Sequence, residues 1–332
     1  MRKGNKEDIG WVPIFGDFEI KEGTIRFKGK HIPASTSDEP LSAEGKEKGQ
    51  AMFGFLLSSL TLADGDLSAE VEFENVTSET ICELAVSYDP NTGHVVTAGL
   101  GGVSGKMFTI RELGSPRNMG PGPWLYHRFG GDRTGLQPRK KYKLEVHFRG
   151  TIVALDINGV TVAMTNEVFP PMGRSRQVGI VCNGEHLITI QNFNVNALKP
   201  KAFVVMKFSG EYDDVYKDVI KEICEDYEVI VRRADEMTGP GFIINDIVYE
   251  IQSSQLVIAD ITPTDNPNVY FEVGYAVALR KPTILLAKKG TSLPFDIAGF
   301  RVLFYENSIG GKSKLEEGLR QHLNLILSGT LI

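Results

Sequence analysis

Cysteine is scarce in this chain, with three in 332 residues, at Cys82, Cys182 and Cys224. An odd count without metal-ligand spacing argues against a disulfide framework or a zinc site, and reads as buried thiols in a reducing compartment. Positive charge is short as well: 36 Lys and Arg face 42 Asp and Glu, for a net charge of −6. Neither side of Leu198 carries a basic excess, which speaks against duplex nucleic acid as a partner. Long apolar runs are missing. The greasiest stretch, Ala51–Ala63, has 13 residues, where a spanning helix needs about 20. The basic start M-R-K-G-N-K has no apolar segment behind it, so no signal peptide is expected. These absences point to a cytoplasmic protein with no membrane partner.

What is present is an ordinary folding composition, 42% hydrophobic and 23% charged. The length exceeds one typical core, so two domains are expected, residues 1–198 and 199–332. The first is written in short alternating runs such as L-S-A-E-V-E-F and Y-K-L-E-V-H-F. Asn158-Gly159 between two apolar runs is a strong hairpin signal. Many short strands without an amphipathic helix predict an antiparallel two-sheet sandwich. Glu70, Glu72 and Glu74 alternate along one strand and read as a solvated face, not as glycosidase carboxylates. Gly114–Gly135, rich in Gly, Pro and Arg, reads as a long loop, either pinned by its own aromatics, which is the favoured reading, or binding a ligand on which Trp124 stacks. No carboxylate cluster has metal-ligand spacing, so no metal is expected.

The order A-E-V-E-F, S-Y-D-P-N-T-G-H, A-G-L-G-G, Y-K-L-E-V, L-D-I-N-G-V and G-I-V-C-N resembles the concanavalin A-like, laminin-G type jelly roll. That resemblance implies a scaffold, or a module with a glycan or protein ligand.

Beyond Pro200 the pattern changes to strand–helix alternation. Continuous apolar strands are expected at Ala202–Phe208, Glu228–Arg232, Leu256–Ala259, Thr283–Ala287 and Arg301–Tyr305, with helices between them. This predicts an α/β domain built on an open five-stranded parallel sheet with helices on both faces, and if the order is 2-1-3-4-5 it reverses between strands one and three. Ligands bind beyond the carboxyl ends of such strands, where the order reverses. The residues there are Met206, Lys207 and Phe208 at the end of the first strand, Arg233 and Asp235 after the second, and Asp260, Asn266 and Asn268 after the third.

Asn266-Pro267 starts a helix by side-chain capping and by a proline at the first helical position. Val269–Leu279 is apolar all round, which predicts burial, and its one charged residue is Glu272. Such an acid is either half of a structural ion pair with Lys207 or Arg233, or a working group. The second reading is favoured. Arg233 is the candidate for holding a phosphate. Gly274 is expected to let the helix lie close to the sheet. Asp260 is open between substrate contact and capping the following turn.

V-V-M-K-F, R-A-D-E, I-A-D-I-T, N-P-N-V-Y-F-E-V-G-Y-A-V-A-L and L-P-F-D resemble the nucleoside 2-deoxyribosyltransferase-like branch of the TIR-like superfamily, over about two-fifths of the chain. The resemblance implies a flavodoxin-like sheet that binds a nucleoside or nucleotide and cleaves or transfers its N-glycosidic bond, without a cofactor. At the position of Glu272 stands the nucleophile of the transferases and the catalytic acid of TIR-type NAD hydrolases. Asp260 and Asn266 sit where polar residues position the base or ribose. The fused sandwich suggests a sensing or targeting module. The expectation is therefore a nucleotide N-glycosidase with NAD as the leading substrate, acting as a homo-oligomer. The alternatives are a non-catalytic nucleotide-binding module and a nucleoside 2-deoxyribosyltransferase.

Overall fold

A computed structural model describes residues 9–29, 52–114, 123–168, 176–237, 243–262, 266–297 and 299–328. The chain divides into two compact units, with the main break between Asn196 and Ala197.

The first unit contains β1 (Trp11–Phe15), β2 (Phe18–Lys21), β3 (Thr24–Phe27), β4 (Met52–Leu62), β5 (Gly65–Phe73), β6 (Ile81–Tyr88) and β7 (Val95–Leu100). It continues with β8 (Lys106–Leu113), β9 (Trp124–Asp132), β10 (Lys141–Arg149), β11 (Ile152–Ile157), β12 (Val160–Thr165), β13 (Arg176–Gly184) and β14 (Ile188–Ala197). They form two seven-stranded sheets, β1-β4-β13-β6-β7-β8-β9 and β12-β11-β10-β5-β14-β3-β2. This is an antiparallel jelly-roll sandwich.

Alternation drives the sandwich. Along β5 buried residues alternate with partly exposed ones, so Leu67, Ala69, Val71 and Phe73 enter the core. Glu70 and Glu72 face outward, opposite Lys143 and Lys141 of β10, an arrangement of opposite charges that supports the pairing. Asn158 and Gly159 both take positive φ, +54° and +78°, which closes β11 onto β12 with the twist a two-residue hairpin requires. The segment Gly114–Gly135 is not one long loop. Residues 115–122 lie outside the described residues, and Trp124 begins strand β9, whose alternating text is masked by its glycines and arginine.

On the outward face of the second sheet, three neighbouring strands place Asp66, His147 and Asp156 in line. His147 Nδ1 lies 2.8 Å from Asp66 and Nε2 lies 3.4 Å from Asp156. An imidazole donates from both nitrogens only when it is protonated. Burial works against that charge, but the hydrogen bonds to Asp66 and Asp156 outweigh it and raise the His147 pKa.

The second unit contains β15 (Lys201–Val205), β16 (Ile230–Arg233), β17 (Leu256–Asp260), β18 (Thr283–Lys288) and β19 (Val302–Tyr305). All neighbours pair in parallel, in the order β16-β15-β17-β18-β19. Between β15 and β16 run α1 (Glu211–Val215), a π-helical stretch (Tyr216–Lys221) and α2 (Glu222–Asp226), where one uninterrupted helix was expected. Then come α3 (Ile243–Ser253), α4 (Pro267–Ala278) and α5 (Ile309–Leu327). The central strand β17 is buried throughout, which explains its unbroken apolar text. Among the described residues no helix is long and apolar enough to cross a membrane. The three cysteines are buried and free.

Gly179 shows how closely β13 approaches its neighbour β4 within one sheet, at a register shift. A Cβ there would sit 2.3 Å from the Leu56 carbonyl oxygen, a rigid backbone atom. Gly179→Ala is expected to destabilise the sandwich by roughly 2 kcal/mol. A thermal melt that matched the wild type would show that this contact is not as close as described.

Candidate functional site

The carboxyl edge of the parallel sheet is shaped by three short connections. After β17 the chain turns at Asp260 and reaches Asn266, whose side-chain oxygen accepts from the Asn268 amide at 3.2 Å. Pro267 follows at the first helical position, so α4 starts as its sequence dictates. Val269, Glu272, Val273 and Ala276 recur at helical spacing and form its buried stripe. The opposite face is open, with Phe271 52% and Val277 37% exposed. The expectation of burial all round is thereby corrected: the absence of charge marks both faces, but the sheet covers only one. Gly274 also differs from expectation. A Cβ added there meets nothing within 4 Å, so the glycine is not needed for close helix–sheet approach.

These connections enclose a cavity of about 530 Å³, within the range of small-molecule sites. Met206, Lys207 and Phe208 line it from the end of β15, and Asp235 from the turn after β16. Asn266, Asn268 and Glu272 line it from α4. Seven of the nine expected residues are thus brought together. Sequence reasoning missed Ala234 and Met237 beside Asp235, and Ile243, Asp246 and Ile247 at the start of α3. A usable signal existed: the helix after the second strand must begin at the same carboxyl edge, so its first turn borders the crevice.

Glu272 is 9% exposed. Among the described residues no donor or cation pairs with its carboxyl group, and burial alone pushes its pKa up to about 7. The ion pair with Lys207 or Arg233 is not formed. An acid of this kind changes protonation around neutrality, as proton transfer or covalent trapping requires.

Two expected contacts are corrected. Arg233 is buried and does not line the cavity. Its Nε and Nη2 each donate to Asp235 at 2.6 Å, and Nη1 donates to Asp213 at 2.8 Å. Burial opposes its charge, but these partners hold the guanidinium more firmly protonated than usual. Its plane lies 4.2 Å from the centroid of Tyr216 in the π-helical stretch and 5.4 Å from that of Phe208. Asp260 is fully buried and likewise absent from the cavity wall. Its oxygens accept from the Thr262 amide at 2.9 Å and the Tyr305 hydroxyl at 2.7 Å. It caps the turn leading to α4. Burial raises its pKa against the lowering effect of those bonds.

In the sandwich, Trp124 has no free face toward a ligand on the side where the Arg111 guanidinium lies 3.8 Å from its ring. Arg111 in turn donates to the buried Glu83 at 3.0 Å. His127 and His94 both contact Glu112, at 2.8 and 2.5 Å. Among the described residues no group of three or more His, Cys, Asp or Glu is placed to hold a metal ion.

No family model matches the chain, and no curated protein matches it. Solved structures do. The carbohydrate-binding module CBM66 from Bacillus subtilis is 13% identical with a TM-score of 0.41, covering 56% of this chain and 95% of its own. A β-1,3-1,4-glucanase (lichenase) derived from a mouse hindgut metagenome is 8% identical with a TM-score of 0.35, covering 56% and 90%. A 2-deoxyribosyltransferase from Bacillus psychrosaccharolyticus is 16% identical with a TM-score of 0.29, covering 35% and 90%. The chain's own strand order defines its jelly roll, and no activity passes to it from these likenesses.

Because the folded pKa of Glu272 lies above that of an unfolded glutamate, ionising it costs stability as pH rises from about 4.5 to 7. Glu272→Gln is therefore expected to stabilise the protein by up to about 3 kcal/mol at pH 8, with the gain fading to nothing below pH ~4.5. Urea denaturation at the two pH values measures it. A variant no more stable than wild type at pH 8 would mean that the acid has a partner.

Proposed function

We propose that the α/β unit cleaves the N-glycosidic bond of a nucleoside or nucleotide, with Glu272 as the reacting carboxylate. The observation that carries this reading is a single one: an acid with no partner among the described residues and a pKa pushed up to about 7, on the wall of a cavity at the strand-order reversal. Breaking such a bond sends its electron pair to the base nitrogen and leaves positive charge on the sugar. An ionised Glu272 traps C1′ covalently or stabilises that charge, and water or a second base completes the reaction. Asn266 and Asn268 supply amide groups to sugar hydroxyls, while Phe208, Met237 and Ile247 offer an apolar wall to the base. This is the chemistry of the deoxyribosyltransferase-like resemblance on a flavodoxin-like sheet, and NAD hydrolysis is its dinucleotide form. The sandwich then serves as a recognition module for a glycan or protein. Self-association is proposed through the open face of α4.

The reaction is tested by incubating the full-length protein with nucleosides, their 5′-phosphates and NAD and following release of the free base. Glu272→Gln is expected to lower the rate by at least about 10²-fold. The wild-type rate should climb with pH through about 7, as Glu272 ionises. A rate that falls through this range would assign Glu272 the role of acid instead, and no release from any substrate would remove the reading.

A further inference from the structure

Cleavage of N-glycosides leaves open whether the sugar carries a phosphate. The electrostatics of the cavity wall bear on that choice, on the reading of Glu272 given above. Arginine is the side chain best suited to a phosphate, through paired donors in a fixed fork. Arg233, which ends β16, has its Nε and Nη2 engaged by Asp235 and its Nη1 engaged by Asp213. It is 4% exposed, with Tyr216 and Phe208 near its plane. Turning it toward a ligand would break all of these contacts at once.

The start of α4 offers little more to an anion. A helix N-terminus binds phosphate through free amides. Here Pro267 has none, and the Asn268 amide is taken by the Asn266 side chain. Among the described residues, the acidic side chains lining the cavity are Asp246, Glu272 and Asp235, the last with both oxygens already accepting from Arg233, and the ammonium there is that of Lys207. A phosphate monoester would bring roughly two more negative charges to that wall. A free nucleoside brings hydroxyl and base N–H donors instead, which carboxylates and amide oxygens accept.

We propose that this cavity selects nucleosides without a 5′-phosphate, and that Asp213 and Asp235 enforce the choice by holding Arg233 behind the wall. Asp213 and Arg233 are then specificity-determining residues that never touch the substrate. NAD and other 5′-linked nucleotides are poor ligands for the same reason.

Binding separates this proposal from the reaction. The full-length Glu272→Gln protein is titrated by calorimetry with ribo- and 2′-deoxynucleosides, their 5′-monophosphates and NAD at physiological salt. At least one nucleoside is expected to bind about tenfold or more tightly than its 5′-monophosphate. Equal or tighter binding of the monophosphate overturns the proposal, and so does the absence of nucleoside binding. Adding Asp213→Asn, which leaves Arg233 a single carboxylate partner, is expected to narrow the preference by roughly tenfold. A preference unmoved by that change overturns the role given to Asp213. Selective nucleoside binding by a wild-type protein that never releases base defeats the N-glycosidase reading and leaves this one standing. A wild-type protein that cleaves monophosphates as readily as nucleosides does the reverse.

Discussion

The buried carboxyl group of Glu272, which meets no donor among the described residues, is the constraint that gives the α/β unit its character. Most buried acids are neutralised by a neighbour, because an isolated charge away from water is costly. In this unit the buried polar groups at the ends of β16 and β17 pair with other residues. Arg233 is consumed by Asp213 and Asp235, and the Tyr305 hydroxyl and the Thr262 amide by Asp260. Arg233 and Asp260 thus close two sets with their partners, and among the described residues Glu272 stands outside both, beside a cavity.

The two closed sets have a shared mechanical effect. Asp260 fixes the turn after β17, and Thr262 in the same turn accepts the Lys288 amide at 2.9 Å, which ties the turn to the end of β18. Arg233 joins the turn after β16 to α1 and to Tyr216, whose hydroxyl donates to Glu236 at 2.8 Å. The connections that line the cavity are therefore held from behind by buried polar contacts, and the cavity does not depend on its own surface groups to keep its shape.

Much of this was legible in the chain. The Asn-Gly hairpin, the alternating β5 and the unbroken apolar β17 each follow from one local rule, and the 2-1-3 order of the first strands places most of the candidate residues. What stayed illegible was the pairing of charged groups. Arg233 and Asp260 stand at the right ends of the right strands, but position along a strand does not say which partner a side chain meets. Asp213, 20 residues from Arg233, shows no local signal of that contact. The π-helical stretch is similarly silent, since its sequence reads as ordinary helix. The open face of α4 misled for a different reason: uncharged text is shared by helices covered on every side and by helices covered on one.

The aligned Asp66, His147 and Asp156 give the molecule a shared response to acidity across its two units. The raised pKa of His147 means that its bridging charge supports the sandwich at low pH and is lost as pH climbs past that value. Glu272 weakens the other unit in the same direction. Glu112 sets the lower bound, since its carboxylate, held down to about pKa 2 by His127 and His94 against burial, is neutralised only in strong acid. A charged His147 and a neutral Glu272 thus both favour the folded chain in mildly acidic solution, and protonation of Glu112 in strong acid acts in the opposite sense.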